Sequence, residues 1–96
     1  MAAKPEHKVK ESIKEIFKKC HVWYFMPAMG AYGRAGIPDF IACYKGKFLA
    51  VEAKAGYNQT TALQEREIVG IHKAGGAAMV VREDTLDELE LWFKTN

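Results

Sequence analysis

No stretch of this sequence approaches the ~20 consecutive apolar residues of a membrane-spanning helix. It also holds no repeat, no low-complexity tract and no Pro/Gly/Ser-rich linker. Cysteine is scarce, at two residues, and Cys20 and Cys43 with His7, His21 and His72 show no zinc-ligand spacing. The glycines of the loop at 28–36 match neither a P-loop nor a dinucleotide fingerprint. No Ser/His/Asp or Cys/His arrangement for nucleophilic catalysis stands out. The polar start, Met1-Ala-Ala-Lys-Pro-Glu-His-Lys, lacks the apolar segment of a secretory signal. A cytoplasmic location follows as the expectation, with both cysteines as reduced thiols.

What is present suits one globular domain over residues 1–96, with 49% apolar and 27% charged residues. That length buries a real core without disulfides or metal staples. The net charge of +2 conceals an asymmetry. Residues 1–50 carry nine Lys/Arg against four acids, and residues 51–96 carry five against eight. A basic front half suits a polyanion, of which nucleic acid is the commonest. A solvated helix face would account for the same lysines.

Apolar spacing predicts a helix over 5–20, opened by Pro5 and buried through Val9, Ile13, Ile16, Phe17 and Cys20. A strand follows over 22–26, whose Trp23, Tyr24 and Phe25 read as sheet core rather than a base-stacking platform. The loop at 28–36 carries Gly30, Tyr32 and Arg34. β-rich runs over 40–44 and 48–53 flank Lys45-Gly46 as a hairpin. A helix over 61–73 stops at Gly75-Gly76, and a strand over 77–82 follows. The last helix starts near Thr85, where Thr85-x-x-Glu88 fits a capping box. The order α-β-β-β-α-β-α is that of a mixed β-sheet flanked by helices, an α/β fold.

The hairpin brings the chemistry together. A two-residue Lys45-Gly46 turn pairs Tyr44 with Lys47, and the same register sets Asp39 opposite Glu52 with Lys54 on their face. Like charges directly opposed across strands are destabilising, so something must offset them. A divalent cation that prefers oxygen ligands is the natural candidate. Taken alone, Asp39 is equally a turn residue after proline, and Glu52-x-Lys54 a solvated ion pair.

Helix phase offers a further acid. With Glu6 at zero, Val9, Ile13, Ile16 and Phe17 fall at about 300°, 340°, 280° and 20°, so Glu6 heads the apolar stripe. It either meets a partner there or complements the helix macrodipole. Gln64 is double in the same way. Thr61-x-x-Gln64 fits a capping box, which alone accounts for it, yet Gln64 also lies between Ile68 and Ile71 on the wheel, which leaves a sheet-facing role open.

Gly36-Ile-Pro-Asp39, followed thirteen residues later by Glu52-Ala-Lys54, resembles the PD-(D/E)xK nuclease motif. Adding Arg34-Ala-Gly36, Thr61-Ala-Leu-Gln64 and Gly75-Gly76, residues 6–83 resemble a VRR-NUC domain of the minimal, stand-alone type carried by phages and bacteria. The eponymous Val-Arg-Arg is absent; Val80-Val-Arg-Glu83 stands in its place. The resemblance implies a restriction-endonuclease-like core and a Mg²⁺- or Mn²⁺-dependent DNA endonuclease. Small members are similar to Holliday-junction resolvases that act as homodimers. It assigns the metal to Asp39, Glu52, the Ala53 carbonyl and Glu6. Catalysis then falls to those acids with Lys54 orienting water and Gln64 steadying Lys54 or a phosphate. Flanking phosphates would meet Arg34, Lys8, Lys10, Lys45 and Lys47. The alternatives are a flap or nicking nuclease acting as a monomer, a non-catalytic nucleic-acid-binding module, or a small effector that recruits a protein.

Overall fold

The computed structural model describes residues 5–28 and 33–96; Gly30 and Tyr32 lie outside the described residues. Helix α1 spans Pro5–Lys19 and buries Val9, Ile13 and Phe17. Strands β1 (Trp23–Phe25), β2 (Phe40–Tyr44) and β3 (Lys47–Ala53) follow, then α2 (Ala62–Lys73), β4 (Ala77–Val81) and α3 (Leu86–Thr95). The sheet runs β1-β2-β3-β4, with β1–β2 and β2–β3 antiparallel and β3–β4 parallel. A parallel pair needs a crossover, and α2 supplies it.

Lys45 and Gly46 both take positive φ, 52° and 81°, the turn whose twist matches the flanking strands. It pairs Tyr44 with Lys47 and Phe40 with Val51, the register read from the sequence. Alternation then sorts the side chains. Phe40, Ala42, Leu49, Val51, Ala53 and Val81 form one face, sealed by α1 and by Leu89 and Phe93 of α3. Phe17 anchors this layer, its ring 4.7 Å from Tyr24, 5.4 Å from Phe40 and 5.8 Å from Phe93.

On the other face α2 packs chiefly over β4, leaving the β1 side bare. Trp23 is 64% and Phe25 47% exposed, so these rings are not sheet core as their β-propensity suggests. In a three-residue edge strand they point alternately to Tyr24, away from the layer that α1 and α3 close.

The helix ends also divide. Thr61 and Gln64 form the expected capping box on α2. Gly75, at φ 93°, closes it, with Gly75 N–H donating to the His72 carbonyl and Gly76 N–H to that of Ile71. At α3 the expected capping box is absent. The Thr85 hydroxyl instead accepts from Arg82 N at 2.8 Å, while Glu88 N–H donates to the Thr85 carbonyl. The tight turn after β4 takes that oxygen before the helix can. Among the described residues no helix is long and apolar enough to cross a membrane.

Candidate active site

Asp39 precedes β2, Glu52 stands in β3 and Lys54 follows it; all three sit at one end of the hairpin, where the first turns of α1 and α2 arrive. Asp39 N–H donates to Glu52 Oε1 at 3.2 Å, and Ala53 N–H donates to Asp39 Oδ2 at 2.9 Å. The two strands thus exchange backbone donors for each other's carboxylates, which fixes both side chains without neutralising them. Lys54, itself buried, brings Nζ to 3.7 Å from Glu52 Oε2.

Gln64 does both of the things its sequence context suggested. Its carbonyl oxygen accepts Thr61 N–H at 2.9 Å, and its amide nitrogen donates to Glu52 Oε2 at 2.9 Å. An amide has a separate acceptor and donor, so the cap and the site do not compete. That amide meets Glu52, where the resemblance implies Lys54 or a phosphate as the partner. Gly36 makes this contact possible. It packs on the α2 backbone at φ 85°, where an added Cβ would lie 2.4 Å from the Leu63 carbonyl oxygen.

Glu52 is only 4% exposed. Burial first, and then the neighbouring Asp39 carboxylate, push its carboxyl up to about 7, against the pull of Lys54. The residues fit a hard divalent cation. Each carboxylate oxygen that accepts a hydrogen bond here has a second lone pair to give, and oxygen donors are what such ions take.

The other expected site residues scatter. Glu6 remains 41% exposed in its side chain and meets Lys10, 3.7 Å away, rather than the acid pair. Among the described residues no three acidic, histidine or cysteine side chains gather, so Glu6 is not brought into the ligand set. Lys10 is nearer the chemistry than a flanking-phosphate role implied, with Nζ 3.6 Å from Asp39 Oδ1. It lies one turn from Glu6 on the same helix face, a signal present in the wheel. Lys8 is exposed on α1. Lys45 and Lys47 sit at the hairpin tip, about 17 Å of strand from Asp39, where Lys47 donates to Asn96. Arg34 is paired with Glu67 of α2, Nε to Oε2 at 2.8 Å.

Two further groups escaped the sequence reading. Arg82 Nη1 donates to the carbonyls of Gly56 at 3.1 Å and Asn58 at 2.7 Å, and Glu83 Oε1 accepts Gly56 N–H at 2.6 Å. The end of β4 therefore straps the loop that leads from Lys54 to α2. Glu67 is buried although acidic. Its signal was its spacing, three residues beyond Gln64 and so on the same face of α2. A groove of about 530 Å³ lined by Phe48, Gly76, Ala77 and Trp92 opens beside the hairpin tip, away from the acid pair.

A four-stranded mixed sheet between α1/α3 and α2, in the order α-β-β-β-α-β-α, is the restriction-endonuclease-like α/β architecture. More particularly, the chain is similar to a solved structure described as a VRR_NUC domain. The two share a TM-score of 0.74 and 24% identity over 91% of this chain and 95% of that one. The chain has that domain's fold. No family model and no curated protein matches it.

Proposed function

We propose that this chain is a divalent-metal-dependent DNA endonuclease, structure-specific and acting as a homodimer on branched DNA. The observation that carries the reading is the convergence of Asp39, Glu52 and Lys54 at one end of the hairpin, held by reciprocal backbone donors. Two carboxylates packed side by side with a buried lysine are expensive to fold and suited to phosphodiester hydrolysis.

Asp39 and Glu52, with the Ala53 carbonyl, would hold Mg²⁺ or Mn²⁺, and Glu6 acts at one remove through Lys10. Bound there, the cation would supply charge neutralisation at the phosphate and would lower the pKa of a bound water. Gln64 holds the Glu52 carboxylate in one orientation. Lys54 directs the attacking water to phosphorus and offsets the charge that grows as the P–O bond to the leaving strand breaks. Lys8, Lys45 and Lys47 belong to more distant phosphate contacts, which position DNA without reading its sequence. A cytoplasmic setting suits that substrate.

The test is incubation with synthetic four-way junction, flap, duplex and single-stranded DNA, in Mg²⁺, Mn²⁺ or EDTA. The expected result is metal-dependent scission, strongest on the junction. Binding that ignores the metal, with no scission, would select a non-catalytic module and overturn the proposal. Preference for flaps or nicking would overturn the junction assignment alone.

A further inference from the structure

The buried carboxylate on α2 that the mechanism above does not use is Glu67. Its side chain is 8% exposed, whereas the Arg34 side chain paired with it is 71% exposed. Among the described residues, Arg34 engages Glu67 Oε2 through its Nε. The guanidinium has five donors in a planar fork, so the Nη edge stays available to a second acceptor. Arg66 reaches the same Oε2 with Nη2 at 3.4 Å. One acid shared by two arginines leaves the cluster with a positive charge in excess.

Position gives the cluster its meaning. Gln64 and Glu67 are three residues apart on one face of α2, and Gln64 already touches Glu52. Glu67 lies about 4.5 Å further along the α2 axis than Gln64, and Arg34, which meets Glu67, stands five residues before Asp39 in the chain. Phosphates recur every ~3.4 Å of axis along each strand of a duplex. That spacing suits a neighbouring phosphate at Arg34 when one phosphate of the strand lies at Asp39 and Glu52.

We propose that Arg34, oriented by the buried carboxylate of Glu67 and accompanied by Arg66, forms a phosphodiester subsite beside the acid pair, with Glu67 as its positioning residue. This rests on the nuclease reading, since the phosphate belongs to the same DNA. It makes a prediction opposite in sign to simple electrostatics. Removing an acid from a DNA-binding surface strengthens binding where charge alone counts; here it weakens binding, because the guanidinium loses its orientation.

The experiment is fluorescence anisotropy of a labelled four-way junction in EDTA with the full chain, repeated over a KCl series. Arg34→Ala is expected to weaken binding about three- to tenfold and to make the salt slope shallower by about one. Glu67→Gln is expected to weaken it severalfold with the same change in slope, and the double variant to be no worse than Arg34→Ala. Glu67→Asp restores part of the loss, and in cleavage assays the variants act more on KM than on kcat. Arg34→Gln, at an exposed position, is read alongside because losing Glu67 can loosen α2. Unchanged or tighter binding in Glu67→Gln, or an unchanged slope in Arg34→Ala and Arg34→Gln, overturns the subsite. Wild-type protein that still binds and cleaves in that case keeps the nuclease reading. Wild-type protein that binds no DNA overturns both.

Discussion

An exposed glutamate ionises below pH 5, but Glu52 is enclosed by strand, helix and a second carboxylate and holds its proton to about 7. The sign of its effect on stability follows. Between pH 4.5 and about 7 the unfolded chain has lost this proton and the folded chain retains it. Metal-free stability therefore falls as pH rises through that window and levels off above it. Glu67 and Glu90 are lowered by their Arg and Lys partners and act only below the window. Thermal melts in EDTA should show the decline from pH 5 to pH 8. Mn²⁺ must displace the proton, so its stabilising effect is expected at pH 8 and lost by pH 5.5, with affinity falling about tenfold per unit below 7. Equal Mn²⁺ shifts at both values would exclude Glu52 as a ligand. Lys54→Ala is expected to lower kcat by about 10²–10³ while circular dichroism stays native. It also removes the cation that pulls Glu52 down, so the acid limb of Mn²⁺ binding should move to higher pH.

Elements set this geometry through two close approaches. Gly36 lets the loop before β2 lie on the first turn of α2, and an alanine there meets backbone at 2.4 Å in a left-handed conformation. Gly36→Ala is expected to destabilise by roughly 2 kcal/mol or more, read as a Tm drop of at least ~8 °C, and to weaken cleavage by moving Gln64 off Glu52. The second approach is the strap from β4. Arg82→Ala frees the carbonyls of Gly56 and Asn58, for an expected loss of about 1 kcal/mol. Faster hydrogen exchange at Asn58, whose N–H donates to Ala55, should accompany it while the sheet stays protected. Arg82 thereby gives the end of β4 a positioning role for the loop between Lys54 and α2.

At the scale of the molecule, the proposed active patch is a single acid pair, and symmetric cutting of a junction would need two. Trp23 and Phe25, at 64% and 47% exposure, lie on the side α2 leaves bare, and Phe48, 43% exposed, lies beside the C-terminal end of α2. Together they present on the order of 300 Å² of aromatic surface, a substantial share of the ~800 Å² per partner of a stable interface. A second copy of the chain is the occupant that the dimer proposal assigns to them. Light scattering on a sizing column is expected to give twice 10.8 kDa. Trp23→Lys with Phe25→Lys should halve that mass with little change in circular dichroism. A monomeric wild type would remove the paired-cut mechanism and leave single-strand nicking or flap cleavage.

Local chemistry was enough for the strands, the helices and the hairpin register. A two-residue turn at Lys45-Gly46 and strict alternation carry Asp39, Glu52 and Lys54 to one place by counting alone. Gln64 was legible as a cap and as a sheet-facing group because both follow from short-range spacing. Contacts between elements distant in the chain were a different matter. Nothing local says that α2 covers chiefly the β4 side, leaving Trp23 and Phe25 in solvent, or that Arg34 finds Glu67 thirty-three residues away. Helix phase placed Glu6 on the core stripe, but only the packed α1 shows that Glu6 stays 41% exposed beside Lys10 and that Lys10 meets Asp39. Periodicity specifies which way a side chain points from its own backbone; what it meets there is decided when the layers close.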